Sequence, residues 1–149
     1  MPYCNLDDIN KLLAEETLIQ LVDDENLKPA AITPSHTAMI GRIDEAIATA
    51  DAEIDGYCAG RYSVPFLPVP PVVKALSVEM AIYYLYMRRS IPERIEDRDD
   101  KAVARLKDIS RGLLTLGVTP PASAADGDNV GVNCTAEDRI FTRETMKGF

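Results

Sequence analysis

The chain has 149 residues with a formal net charge of −8, and 46% of its residues are hydrophobic. This length fits one domain with a real core, and the acidic balance argues against binding to the outside of nucleic acid or to an anionic membrane surface. It does not exclude DNA passing through an assembly of such chains. Glycine is sparse in the periodic segments and alternating β-branched runs are few, so we expect a mostly α protein.

The N-terminal segment lacks the basic start and apolar run of a signal peptide. The three cysteines, Cys4, Cys58 and Cys134, show no metal-site spacing. We therefore expect free thiols in a reducing compartment.

Two short helices are predicted within residues 1–27. Asn5 is expected to cap the first, with its side chain accepting a backbone N–H such as that of Asp8. The segment 23–34 then breaks the pattern, because Pro29 and Pro34 stop helices.

The second major helix is predicted over residues 35–60, with Gly60 as its C-cap. Asp51 and Asp55 lie one turn apart and could face a hard cation, but two carboxylates supply too few oxygens, so we predict no metal site. Arg61 could pair with Asp55 and fix the loop that follows.

Residues 61–69 form an extended path, because three prolines within six positions (Pro65, Pro68 and Pro70) exclude a regular helix. Such an apolar loop is predicted to lie against the domain or a neighbouring subunit. Its candidate contact residues are Tyr62, Val64, Phe66, Leu67 and Val69. On this hypothesis, Phe66→Asp would break assembly and leave helicity intact.

Residues 70–90 are the most apolar continuous segment, and apolar side chains cover nearly the whole circumference of the helix that they predict. A helix of this kind is typical of the centre of a bundle. Its length would also permit a membrane span, but Lys74, Ser77 and Glu79 argue against one. We interpret it as the core helix around which the others pack.

A charged outer helix is predicted from Pro92, with a narrow apolar stripe of Ile95, Val103, Leu106, Ile109 and Leu113. The dense charges favour a solvent-exposed face over a nucleic-acid face. From Thr115 the periodicity is lost, which indicates a helical domain at 1–117 and a flexible linker with a C-terminal arm at 118–149. Ile140, Phe141, Met146 and Phe149 are candidate contacts of a docking arm, and the alternative is a frayed tail.

The sequence shows few features that are typical of enzymes. The sequence contains no GxGxxG, GxxxxGK[ST], GxSxG or HExxH. We therefore predict no catalytic, cofactor-binding or metal-binding residues, no cofactor and no enzyme activity. An enzyme that uses the Asp51 and Asp55 face is the weak alternative.

The run AEIDGYCAGRYSVPFLPVPPVVKALSVEMAIYYLY at residues 52–86, the opening YCNLDDINKLL, the segment ISRGLLTLG and the terminal RIFTRETMKGF together resemble a Mu-like phage family of small helical virion proteins. The broader group that the chain resembles is the head–tail connector, or adaptor, proteins of tailed phages. The resemblance covers nearly the whole chain except residues 119–136. Its motifs are patterns without catalytic residues.

The resemblance implies an all-α bundle of about four to five helices around the central helix. It also implies a homo-oligomeric ring at the portal–tail junction, with the portal and tail-completion or stopper proteins as partners and DNA as passing cargo. The chain would then be made in the bacterial host cytoplasm from a phage or prophage gene and incorporated in virions, without a membrane. The alternative is a soluble helical interaction module, such as a regulator or assembly chaperone.

Overall fold

The computed structural model describes residues 1–118 except 28, 31, 34 and 35. This part of the chain forms five helices and no strand, which confirms the all-α prediction. The helices are α1 (Leu6–Asn10), α2 (Glu15–Val22), α3 (Thr37–Cys58), α4 (Pro71–Met87) and α5 (Glu93–Arg111).

Helix α4 is the centre of the bundle, as its apolar circumference predicted. It contacts each of the other four helices. Its buried residues occupy most of its circumference, and Leu76, Met80 and Ala81 are completely buried. Pro71 occupies the first turn, where its missing N–H leaves no carbonyl unpaired. No helix among the described residues is long and apolar enough to cross a membrane.

The cap of α1 is also as predicted. The side chain of Asn5 accepts the N–H of Asp8 at 3.0 Å. The Asp8 carboxylate accepts the N–H of Asn5 in return, at 3.3 Å, which completes a capping box. These two bonds fix the direction in which the N-terminal segment enters the bundle.

Helix α3 ends earlier than predicted. Its C-cap is Ala59 in a right-handed conformation, and Gly60 does not adopt positive φ, so the prediction of a Gly60 cap was wrong. The Cys58 carbonyl instead accepts the N–H groups of both Arg61 and Tyr62, which closes the turn without a left-handed residue.

Helix α5 packs through Ile95, Ala102, Leu106 and Ile109, all buried. It ends at Gly112, which takes the left-handed conformation with φ 80° that glycine adopts without a Cβ penalty. The sequence predicts Leu113 on the apolar stripe of this helix, but Leu113 lies beyond the cap and is 76% exposed, so this part of the prediction was wrong. The linker and arm are predicted at residues 118–149, and residues 119–149 of this segment lie outside the described residues.

Candidate functional site

Three helix termini meet at one end of the bundle, because α3, α4 and α5 follow one another through short connections and alternate in direction. The end of α3 and the end of α5 are tied together there. The guanidinium group of Arg61 lies directly against Gly112. The hydroxyl group of Tyr62 accepts the N–H of Leu116 at 3.4 Å. We call this region, with the proline-rich loop 61–70, the loop end.

The five predicted contact residues of the loop differ sharply in exposure. Tyr62 and Phe66 are each only 3% exposed and belong to the core, while Val64 and Val69 are half-buried against it. Leu67 is 72% exposed. The loop therefore lies against its own domain, and of these five side chains Leu67 is the one available to another molecule.

The burial of Phe66 overturns the expectation for Phe66→Asp. A carboxylate at this position would be placed in the core, where an unpaired charge is strongly unfavourable. This substitution would therefore disturb folding before it could report on assembly.

Three further apolar side chains are exposed at the loop end, and sequence reasoning missed them. Val72 opens α4 and is 40% exposed, while Leu113 and Leu114 follow the Gly112 cap and are 76% and 39% exposed. The signal in the sequence was the pair of leucines directly after a glycine that ends a helix. With Leu67 they make the loop end an apolar surface.

The opposite end of the bundle carries basic side chains. Arg42 of α3 and Arg88 and Arg89 after α4 surround the carboxylate of Asp24, at 3.2, 2.7 and 3.6 Å. Hydrogen bonding to Arg88, and then the other two guanidinium groups, hold the pKa of Asp24 below its ordinary value. Asp24 thus ties the start of α3 to the end of α4 at this arginine end, where Asp23, Glu25 and Glu45 also lie beside the arginines.

A polar network joins the N-terminal segment to α3 and α4. The backbone N–H of Tyr3 donates to Asp51 at 2.8 Å, and the Tyr3 hydroxyl donates to Asp55. The same hydroxyl accepts the N–H of Phe66 at 3.1 Å. The hydroxyl of Ser77, which is completely buried on α4, donates to Asp51 at 2.6 Å. The two aspartates that a metal site would have needed are thus used to hold the chain's first residues.

Burial raises the pKa values of several side chains in and beside this network. Desolvation is the main cause that raises the pKa of Asp51, and Ser77 and the Tyr3 N–H oppose it. Burial, followed by the hydrogen bond to Asp55, raises the pKa of Tyr3. Burial also raises the pKa of the Cys4 thiol and brings that of Cys58 to about 11, so both thiols stay protonated and poorly nucleophilic at neutral pH.

Two smaller clusters connect other elements. Asp8 of α1 pairs with Lys74 of α4 at 2.8 Å and with Lys11 at 2.8 Å, and these hydrogen bonds lower the pKa of Asp8 to about 2. Elsewhere between α3 and α4, the Tyr84 hydroxyl donates to Glu53. Partial burial, with Glu53 and then Asp100 nearby, raises the pKa of Asp99 to about 6.

The described residues bring no group of three or more histidine, cysteine, aspartate or glutamate side chains into metal-binding range.

Arg61 forms no ion pair with Asp55 in the described part of the chain, contrary to our expectation, because Asp55 accepts from Tyr3 instead. The described polar side chains form hydrogen bonds and ion pairs between elements of the bundle, and the exposed side chains form its two end surfaces. Ile140, Phe141, Met146 and Phe149 lie outside the described residues.

Comparison with known proteins identifies the family to which the chain belongs. Residues 3–133 match the model of the family described as Bacteriophage Mu, Gp36. The chain belongs to this family of Mu-like phage proteins, which confirms the resemblance found in the sequence.

Two relatives support the assignment. The chain is 28% identical over 108 residues to "Mu-like prophage FluMu protein gp36" of Haemophilus influenzae, covering 72% of this chain and 75% of the relative. It is 32% identical over 108 residues to "Gene product J" of Escherichia phage Mu, covering 71% of this chain and 74% of the relative.

Proposed function

We propose that this chain is a structural subunit of a phage or prophage virion, a head–tail connector of the adaptor or head-completion type. In this role it forms a ring at the portal–tail junction, and DNA passes through the ring. Membership in the Mu-like phage family supports a phage role. The finer role rests on the surfaces of the bundle.

The observation that carries the proposal is the difference between the two ends of one small bundle. The loop end exposes Leu67 and Leu113, at 72% and 76%, and the arginine end exposes Arg88 and Arg89. A subunit held between two protein layers needs two chemically distinct contact surfaces. An apolar end and a charged end that exposes guanidinium groups, on opposite sides of the bundle, meet that need.

The acidic balance of the chain suits a channel subunit. At a net charge of −8, the protein repels the phosphate backbone, so DNA would slide past without binding. The partners in this proposal are other copies of the chain, the portal, and a tail-completion or stopper protein. The protein would be found in virions and, during assembly, in the host cytoplasm.

The test is the oligomeric mass of the purified full-length chain, measured by light scattering after gel filtration over a wide concentration range and accompanied by electron micrographs of any large species. Closed rings of many copies are the expected result, because a heterologous contact that closes generates a ring. A strict dimer with one self-complementary surface would contradict the proposal and favour a helical interaction module.

A strict monomer would move the test to pull-down with the portal protein. Capture by the portal would keep the connector role with a templated ring. Failure of both assembly and capture would reject the role.

A further inference from the structure

A groove separates the N-terminal segment from the exposed face of α3. It has a volume of about 650 Å³, within the usual range of binding sites. Leu6, Ile47 and Ala48 line its apolar part, and the carboxylates of Asp44, Asp51 and Asp55 lie along one side. Neither the connector role nor the network beneath the groove accounts for this opening.

The groove is acidic as well as apolar. Asp44, Asp51 and Asp55 occur at i, i+7 and i+11 of α3, and this spacing keeps them on one helical face. Asp51 and Asp55 keep their carboxylates there while bonding to the N-terminal segment. The α-ammonium group at Met1, which also lines the groove, offsets part of this charge. An occupant with apolar and basic side chains would complement the surface.

The last eleven residues of the chain have that composition. Ile140, Phe141, Met146 and Phe149 are apolar, and residues 139–149 carry three basic side chains and one acidic side chain. The basic residues Arg139, Arg143 and Lys147 are spaced by four, which would place them on one face of a helix. Two of these basic residues lie one turn apart, as Asp51 and Asp55 do on α3, so a basic pair can face this acidic pair.

The described chain ends close to the groove. Leu116 donates its N–H to Tyr62, whose ring centroid lies 6.0 Å from that of Phe66. The Phe66 ring lies 5.9 Å from the ring of Tyr3, and Tyr3 binds the aspartates of the groove. Two ring contacts therefore separate the exit of the chain from the groove.

The intervening chain is long enough. Residues 119–138 provide 20 residues between the described domain and Arg139. A flexible linker of about 20 residues spans about 25 Å on average. Attachment at this length also gives the segment a local concentration on the order of millimolar at its own groove, which favours it over a segment from another copy.

We propose that residues 139–149 bind in the groove between the N-terminal segment and α3 of their own chain. The apolar side chains fill the groove beside Ala48, and the basic side chains face Asp44, Asp51 and Asp55. This inference does not depend on the connector role, since a free chain would make the same contact.

The experiment uses the full-length chain with Cys134→Ser and with Gly41→Cys, an exposed position on α3 outside the groove lining, where an added Cβ meets no atom within 4 Å. Cys4 and Cys58 are buried, at 3% and 0% exposure, so a nitroxide reagent labels the new exposed thiol. The Met146 methyl signal is then measured by nuclear magnetic resonance, with the nitroxide oxidised and reduced. We expect a strong loss of intensity in the oxidised sample.

A charge variant and its control test the mechanism. Arg143→Glu is expected to restore most of the Met146 intensity at low salt. Arg105→Glu, an exposed change on α5 outside the groove, is expected to leave the loss unchanged. Circular dichroism of each variant checks that the helical content is the same.

Three results would overturn the proposal. One is full Met146 intensity beside the oxidised label. Another is a loss of intensity that Arg143→Glu does not change. The third is a loss that persists when nitroxide-labelled chains without isotope are mixed with isotope-labelled chains without nitroxide, which would assign the groove to the segment of a neighbouring copy.

Discussion

The side chain of Tyr3 is hydrogen-bonded to Asp55, 52 residues later in the sequence. The same hydroxyl accepts the N–H of Phe66, so one phenolic group joins the N-terminal segment, α3 and the proline-rich loop. The ring is buried, at 4% exposure. Loss of this hydroxyl would leave the buried N–H of Phe66 and the partly buried carboxylate of Asp55 without this partner.

Tyr3→Phe is therefore expected to lower the free energy of unfolding by about 1–3 kcal/mol, the usual consequence of leaving buried polar groups unpaired. The measurement is urea unfolding followed by circular dichroism. Tyr86→Phe is the control, since the Tyr86 hydroxyl makes no hydrogen bond within the described residues. Equal stability of the two variants would show that the Tyr3 contact contributes nothing.

Leu67 and Phe66 are neighbours in sequence with opposite environments, at 72% and 3% exposure. Leu67→Asp is expected to weaken assembly while helicity and unfolding midpoint stay near those of the natural chain. Phe66→Ala is expected to cost about 3–5 kcal/mol of stability, as large-to-small changes in a core do. Light scattering and thermal unfolding of both variants separate the two effects. Unchanged assembly of Leu67→Asp would remove the loop end from the interface.

Gly112 has two reasons to be glycine. Its φ is 80°, and a Cβ at this position would lie 1.8 Å from a guanidinium nitrogen of Arg61. Gly112→Ala is expected to destabilise the protein by about 1–3 kcal/mol, mainly through backbone strain at positive φ, because the flexible end of the Arg61 side chain can move aside. Combining it with Arg61→Ala should recover only the part caused by the collision.

Gly56→Ala is the matched control for Gly112. A Cβ at Gly56, within α3, would meet no atom within 4 Å. This change is expected to stabilise the helix by roughly 0.5–1 kcal/mol. Thermal unfolding of the variants measures both effects, and a neutral Gly112→Ala would contradict the account of the α5 cap.

Asp99 should make the protein less stable as the pH rises through about 6. Its pKa is raised from 3.8 to about 6 by partial burial and by Glu53 and Asp100. The folded state therefore binds more protons than the unfolded state between these values, so stability is highest below about pH 4 and falls toward pH 6. Asp99→Asn is expected to remove this fall in folding stability, because asparagine does not ionise.

The expected result for Asp99→Asn is a higher melting temperature at pH 7 and a flatter dependence between pH 4 and 6. Asp97→Asn, an exposed change on the same helix, is the control. Asp8 acts in the opposite direction, because its pKa is lowered to about 2 and its contribution is lost only as the pH falls from about 4 toward 2. A melting temperature of Asp99→Asn equal to that of the natural chain at pH 7 would contradict this reading.

Local patterns predicted much of the fold. The all-round apolar character of residues 70–90 identified the central helix, and Asn5 with Asp8 identified the first cap, because both signals depend on residues close in sequence. The end of α3 was misplaced since two backbone bonds to Cys58 replaced the expected glycine cap.

The candidate surfaces were harder to predict. The apolar loop was recognised, but which of its side chains face the core depends on contacts with distant residues. Phe66 is buried because Tyr3, 63 residues earlier, packs and bonds against it. The arginine end likewise forms only when residues 24, 42, 88 and 89 meet in three dimensions.

The most direct test of the connector role is deletion of the gene from the phage that encodes this chain, followed by electron microscopy of the lysate. The account predicts DNA-filled heads and separate tails that fail to join, with joining restored by the chain supplied from a plasmid. The Leu67→Asp chain should restore it poorly. Complete, infectious particles in the absence of the chain would contradict the account.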